Sequence, residues 1–308
     1  LSIIYEVRVL VSKNISITLE ELNKTDMISI VSSFPSNFIN HRSPGIPDEL
    51  KKQILHEQYK KRIVSDGLET GHLVLTDNGY IFKSKQSFSS FAGFVFEAYL
   101  VDEFNSKKTA RLRAFQWATE RSEGWSTKGF EEYKAVGTGL LSTKINHLSY
   151  YEPQSNADII FLRKNPLLDI MEPALIHNQQ VPAKIQVKSI KNRFKEDIVD
   201  KVISGKYSRV ITMLSDNSGR PSWVICHNIL HNMLRTKVIT SDVYANTIGR
   251  IQGPEYFDLN QYYIDDYYDY ICQWHNGNES FTKHTNEAAE QEITGYKYMN
   301  NILVPIDA

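Results

Sequence analysis

Apolar positions at helical spacing begin at Phe91, Val95, Ala98 and Val101, and predict a helix over 87–104. A second helix is expected over about 109–120. Upstream, Ile46-Pro47-Asp48-Glu49-Leu50 reads as a helix start, with proline early and acids in the first turn, continuing to about Val64. Two β-rich runs around Asp77-Asn78-Gly79 predict a hairpin. Further on, 157–162 and 183–190 are strand-like, and the segment between them, with Pro166, Pro173 and Pro182, should be mostly loop. Phe194, Ile198, Val202 and Ile203 mark an amphipathic helix ending near Gly205. Residues 209–214 read as a strand, 216–219 as a turn and 222–226 as another strand. The pattern over 121–155 is ambiguous, so the strand expected before Asp158 has no assigned place within 135–150.

These elements divide into an N-terminal α+β unit (1–85), a central unit (86–235) and a C-terminal extension (236–308). Helices followed by a hairpin in the first are compatible with a winged helix, a DNA-binding module, or with a plain packing extension. The C-terminal stretch is dense in tyrosine, including Tyr262, Tyr263, Tyr267, Tyr268 and Tyr270. Base stacking on those rings is conceivable, but Asp265, Asp266 and Asp269 repel phosphate, so a packed helix is the expectation.

Composition adds limits rather than a function. The 308 residues are 41% hydrophobic and 23% charged, ordinary for a globular protein, and the net charge of −1 gives no global footprint for nucleic acid. Two cysteines, Cys226 and Cys272, are too few for a disulfide framework and form no zinc motif, which together with the lack of a membrane-length apolar run points to a cytoplasmic protein. His227 and His231 stand four apart, a spacing that can bind zinc on a helix, but Asn228-Ile229-Leu230 between them supplies no acidic general base.

The chemistry concentrates elsewhere. Glu or Gln, any residue, then Lys occurs at Glu49-x-Lys51, Gln58-x-Lys60, Glu132-x-Lys134 and Gln186-x-Lys188. A metal-dependent phosphodiesterase needs hard oxygen ligands and a nearby cation, and residues two apart share a side only on a strand. The first two occurrences lie in the helical stretch and the third in a polar region. The fourth sits on the apolar run Ile185-Gln186-Val187-Lys188, with Asp158 at the upstream strand. Glu97 is the only charged residue between Lys85 and Asp102, within Phe94-Val95-Phe96-Glu97-Ala98-Tyr99. A buried acid there needs a partner or a metal. Lys184, Lys188, Lys191, Arg193 and Lys195 cluster within twelve residues, enough to hold a DNA backbone. Each of these features also has a plain reading: a turn cap for Asp158, an exposed edge-strand face for Gln186 and Lys188, a surface acid for Glu97, a solvated strand end for the lysines.

The set Asp158 … Gln186-Val187-Lys188 resembles the PD-(D/E)xK nuclease superfamily in its Gln-x-Lys variant, familiar from Mrr-like type IV restriction enzymes. The similarity covers roughly 87–226. It implies a mixed α/β (α+β) fold with a restriction-endonuclease-like αβββαβ core, a mostly helical N-terminal extension and a C-terminal extension. It further implies a Mg²⁺-dependent DNA endonuclease, with Mn²⁺ as a substitute, in bacterial restriction or defence. By this resemblance Asp158 is the main metal ligand, Gln186 and the Val187 carbonyl add to it, and Glu97 completes the shell. Lys188 positions the attacking water or stabilises charge on the phosphate. Lys184, Lys191, Arg193 and Lys195 contact the DNA, and a homodimer is the usual assembly of a double-strand cutter. The sequence departs from the pattern in having Gln186 for the second carboxylate, and in spacings of 61 and 28 residues that require insertions. A nuclease-like DNA-binding protein without activity, a toxin or repair nuclease with the same core, and an interaction module sharing only the letters are the competing expectations.

Overall fold

A computed structural model describes residues 4–9, 13–18, 48–76, 79–82, 87–121, 129–276, 296–299 and 302–305. In chain order the elements are β1 (Ile4–Val9), β2 (Lys13–Thr18), α1 (Asp48–Glu69), β3 (Leu73–Thr76), β4 (Gly79–Phe82), α2 (Phe88–Ser106), α3 (Lys108–Thr119), β5 (Lys134–Gly137), α4 (Leu141–Asn146), β6 (Ile159–Lys164), β7 (Met171–Pro173) and β8 (Lys184–Lys188). After a π-helical turn at Lys195–Val199 follow α5 (Asp200–Ile203), β9 (Val210–Thr212), α6 (Ser222–Arg235), α7 (Ser241–Ile248), β10 (Ile251–Gln252), α8 (Gln261–His275), β11 (Tyr296–Met299) and β12 (Ile302–Pro305). The fold is mixed α/β. Among the described residues no helix is long and apolar enough to cross a membrane.

By its contacts the chain forms two units, one of Leu1–Arg62 with Tyr262–Ala308 and one of Ile63–Gln261. This differs from a division at 85 and 235. Helix α1 runs unbroken through position 63, and Tyr244, Ile248 and Ile251 pack on the core formed by Val199, Val210, Cys226 and Leu230, which draws 236–261 into the larger unit.

In the first unit β1 pairs with β2 and β11 with β12, each antiparallel. Tyr59 is buried with Tyr263, Tyr267 and Tyr270 around it, and its hydroxyl donates to Asp266 at 3.1 Å. The tyrosine-rich stretch is therefore a packed helix, its rings spent on one another.

The second unit is built on one sheet in the order β10-β9-β8-β6-β5, with β7 on β6. Strands β8, β9 and β10 run parallel, while β5, β6, β7 and β8 pair antiparallel through β6. Helix α2 carries apolar residues on nearly every side and is buried accordingly, from Phe91 through Phe96 to Phe104. Its start is capped by Ser87, whose hydroxyl accepts the Ser90 N–H. Strand β5 fills the place that the sequence leaves open, and β3 and β4 form the expected hairpin. Asp77 and Asn78 at its tip lie outside the described residues.

One element is of the other kind. Residues 222–226 begin helix α6, not a strand. Trp223, Val224 and Ile225 favour β structure locally, but Cys226 and Leu230, four apart, are both fully buried against Val199 and Val210. Pro221, at φ −56°, sets the entry. A helical stripe fourteen residues long outweighs a five-residue apolar run. The proline-rich segment before β8 is mostly irregular, with one short strand, β7.

Candidate functional site

Asp158 stands one residue before β6, where β6 and β8 part. The last ladder partners are Ile159 and Ile185, and the Asp158 N–H donates to the Ile185 carbonyl at 2.8 Å. Beyond that point the Val187 N–H donates to Asp158 Oδ2 at 2.6 Å, and Gln186 Nε2 donates to the same oxygen. The carboxylate thus closes the gap between two separating strands. It is also tied to β5, since the Thr138 N–H donates to the Asp158 carbonyl at 2.8 Å and the Thr138 hydroxyl to the Ala157 carbonyl at 2.5 Å.

Lys188 lies two residues beyond Gln186 and is half-buried. Its Nζ is 4.9 Å from the Tyr207 ring centroid, an arrangement that holds an ammonium by cation–π attraction. Burial pushes the Asp158 carboxyl up to about 6, and the Val187 N–H and the Lys188 charge oppose that rise.

Glu97 projects from α2 into a turn of two glycines. The Gly139 N–H donates to Glu97 Oε1 at 3.0 Å. A Cβ on Gly137 would fall 2.8 Å from Glu97 Oε1 and 2.5 Å from Leu140 Cγ, so only glycine fits beside the carboxyl without displacing it. Burial raises the Glu97 carboxyl to about 8, the Asp158 charge adds to this, and the Gly139 N–H opposes it. Glu69, at the end of α1, contributes in the same direction, and its carboxylate accepts the Ser142 N–H at 3.1 Å at the start of α4.

The structure brings Glu97, Asp158, Gln186 and Val187 to one place, with Lys188 in electrostatic reach. Among the described residues no ion pair joins Glu97 or Asp158 to a cation, and the charge of Asp158 raises Glu97, a setting that attracts a cation. Among the described residues no three His, Cys, Asp or Glu side chains gather as a metal set. A dication here would rest on Asp158, Glu97, an amide oxygen and water. Gln186 presents nitrogen to Asp158, and a half-turn of its planar amide presents oxygen instead.

The basic cluster is less uniform than its letters. Lys184 is exposed, whereas Arg193 pairs with Asp197 at 3.4 Å and Lys195 with Asp200 at 2.8 Å; Lys191 is half-buried. His227 and His231 do share a helix, but His227 Nε2 is 2.9 Å from the Ile251 carbonyl and His231 Nε2 is 3.0 Å from the Tyr244 hydroxyl, which are packing roles. The sequence reading missed Gly137, Gly139, Glu69 and Tyr207. A Gly-Thr-Gly run was the one available signal, since glycines that close together mark a tight approach of backbone to another group. No protein-family model matches the chain, and neither a curated protein nor a solved structure does.

Proposed function

We propose that this chain is a metal-dependent deoxyribonuclease whose centre is Asp158, Glu97, Gln186 and Lys188. The observation that carries the reading is the meeting of Asp158 with Gln186 and Val187 at the parting of β6 and β8, beside the buried Glu97. A mixed sheet with α2 packed on β5 and β8 and α6 on β9 and β10, carrying the leading-helix acid Glu97, then Asp158, then the Gln-x-Lys strand in chain order, supports a PD-(D/E)xK-like core. Bound Mg²⁺ supplies Lewis acidity toward a phosphodiester and lowers the pKa of a water. Asp158 and Glu97 would hold it, and Glu97, raised to about 8, would release its proton on doing so. Gln186 adds a neutral oxygen. Lys188, held over Tyr207, offers its ammonium to charge building on the phosphate.

A second reading, a DNA-binding protein without cleavage, is favoured by one observation: Asp158 Oδ2 already accepts two donors from β8, a closed arrangement that needs no metal. The test is a nicking assay on plasmid DNA with Mg²⁺ or Mn²⁺, using the full chain beside Asp158→Ala and Lys188→Ala. Cleavage is expected from the unaltered chain, and each variant should lose about 10²–10³-fold in rate. Full activity in either variant would remove these residues from the site, and binding of DNA with no cleavage under either metal would establish the second reading.

A further inference from the structure

A second polar cavity lies beside α3, which packs on Phe161 of the same sheet as α2 does. Side chains alternate along a strand, so Arg209, one residue before β9, points away from the face shared by Val210 and its partner Gln186. Its carbonyl accepts the Gln186 N–H at 2.9 Å, which fixes the Arg209 backbone against β8. The cavity measures about 490 Å³, and Arg113, Gln116, Trp117, Glu120, Arg209 and Tyr256 line it.

Arg209 is the unusual group. It is only 6% exposed, and its guanidinium stacks over Trp117, 5.2 Å from the ring centroid. Its Nη2 donates to Glu120 at 2.8 Å, but its buried Nε has no hydrogen-bond partner among the described residues. A buried donor left open costs free energy, more so on a charged group. Glu120 is more than a third exposed and compensates one guanidinium, while the Arg250 charge repels the same group. Arg113, half-exposed on the rim, shares its charge with Asp258 at 2.6 Å. With Arg121 also on the lining, the cavity therefore holds more positive than negative charge.

The shape of the donor set selects the anion. Arg209 comes from the sheet, and Arg113 and Gln116 come from α3, so the donors converge from different directions. A tetrahedral oxyanion accepts from several directions, whereas a carboxylate accepts in one plane. The volume exceeds that of phosphate alone. Trp117 spends its Nε1–H on the Gly249 carbonyl at 2.7 Å and is covered by Arg209, whereas Tyr256, also on the lining, is 43% exposed. We propose that this cavity binds a mononucleotide, its phosphate on the Arg209 and Arg113 guanidiniums and its base against Tyr256.

The test is calorimetric titration of the full chain, without DNA or divalent metal, with AMP, inorganic phosphate and adenosine. AMP should bind with Kd between roughly 10 µM and 1 mM, phosphate at least about tenfold more weakly, and adenosine undetectably. Arg209→Gln and Arg113→Gln should each weaken AMP about tenfold or more, and Tyr256→Ala should weaken AMP but not phosphate. Glu120→Gln removes the competing carboxylate and should tighten AMP severalfold, a gain that a merely structural ion pair would not give. Arg235→Gln, on the exposed end of α6, serves as the unchanged control. No heat from AMP or phosphate up to about 10 mM would overturn the assignment. So would AMP binding insensitive to both Arg113→Gln and Glu120→Gln, or equal affinity for phosphate and AMP. Arg113 and Glu120 are surface-reaching, so these two variants keep the test decisive if Arg209→Gln fails to fold. Because neither DNA nor cleavage enters the measurement, its failure is separate from failure of the nuclease reading.

Discussion

The Asp158 carboxylate and the Val187 N–H meet at 2.6 Å where β6 and β8 cease to pair. A side chain there replaces a strand in satisfying the backbone of β8, and the same oxygen takes the Gln186 amide. Asp158→Asn keeps the shape and an acceptor but not the charge. Its melting temperature should stay within a few degrees of the unaltered chain, because a neutral hydrogen bond still forms, at about 1 kcal/mol less than a charged one. Mg²⁺ binding followed by calorimetry should fall at least tenfold. Unchanged Mg²⁺ affinity would show that Asp158 serves the fold alone.

Gln186→Glu places a second carboxylate against Asp158 Oδ2 in a desolvated site. Like charges at that range disfavour joint ionisation, so the metal-free variant should lose stability above about pH 6, and added Mg²⁺ should restore it. Thermal melts at pH 7.5 with and without Mg²⁺ check this. The Mg²⁺-induced rise in melting temperature should be larger in the variant by several degrees, and an equal rise in both proteins would argue that no dication sits beside residue 186.

Glu97 gives the stability a pH dependence. Its carboxyl, raised from 4.5 to about 8 chiefly by burial, binds a proton more tightly in the folded state than in the unfolded one. The contribution of a raised acid is complete below the unfolded pKa and is lost as pH rises through the folded value. Metal-free stability should therefore decline between about pH 4.5 and pH 8, with Asp158, raised to about 6, adding to the lower part of that window. Glu97→Gln should flatten the upper part and be on the order of 1–3 kcal/mol more stable at pH 8. Urea midpoints across this range would decide it, and a midpoint that rises with pH up to 8 would contradict the sign.

Gly137→Ala tests the glycine turn. The new methyl meets Leu140 at 2.5 Å and Glu97 Oε1 at 2.8 Å, and both are held, Leu140 by full burial and Glu97 by Gly139. A cost of about 1–3 kcal/mol is expected from overpacking. Gly249→Ala, with open space around the position, should cost far less. Equal melting temperatures for the two would show that Glu97 moves freely.

Local signals were enough for part of this molecule. The spacing of Phe91, Val95 and Ala98 marks α2, and the lone acid Glu97 within it is legible because nothing else charged lies nearby. The apolar run holding Gln186 and Lys188 marks β8, and a strand context separates it from Gln58-x-Lys60 on α1. These features depend on periodicity over a few residues, which the chain carries by itself. The strand-like letters of 222–226 failed for the complementary reason, because the burial of Cys226 and Leu230 against Val199 and Val210 is a tertiary term that overrode local preference.

Only the tertiary structure decided that Glu97, Asp158 and Gln186 meet, since segments 61 and 28 residues apart in sequence are joined by the sheet order β5-β6-β8 and not by any local rule. It alone placed Gly137 and Gly139 against a carboxyl, and it alone set the buried Arg209 over Trp117. The sequence by itself determined which side chains can do chemistry. Packing determined their distances and their burial, and burial controls the free energy of every charge in the site.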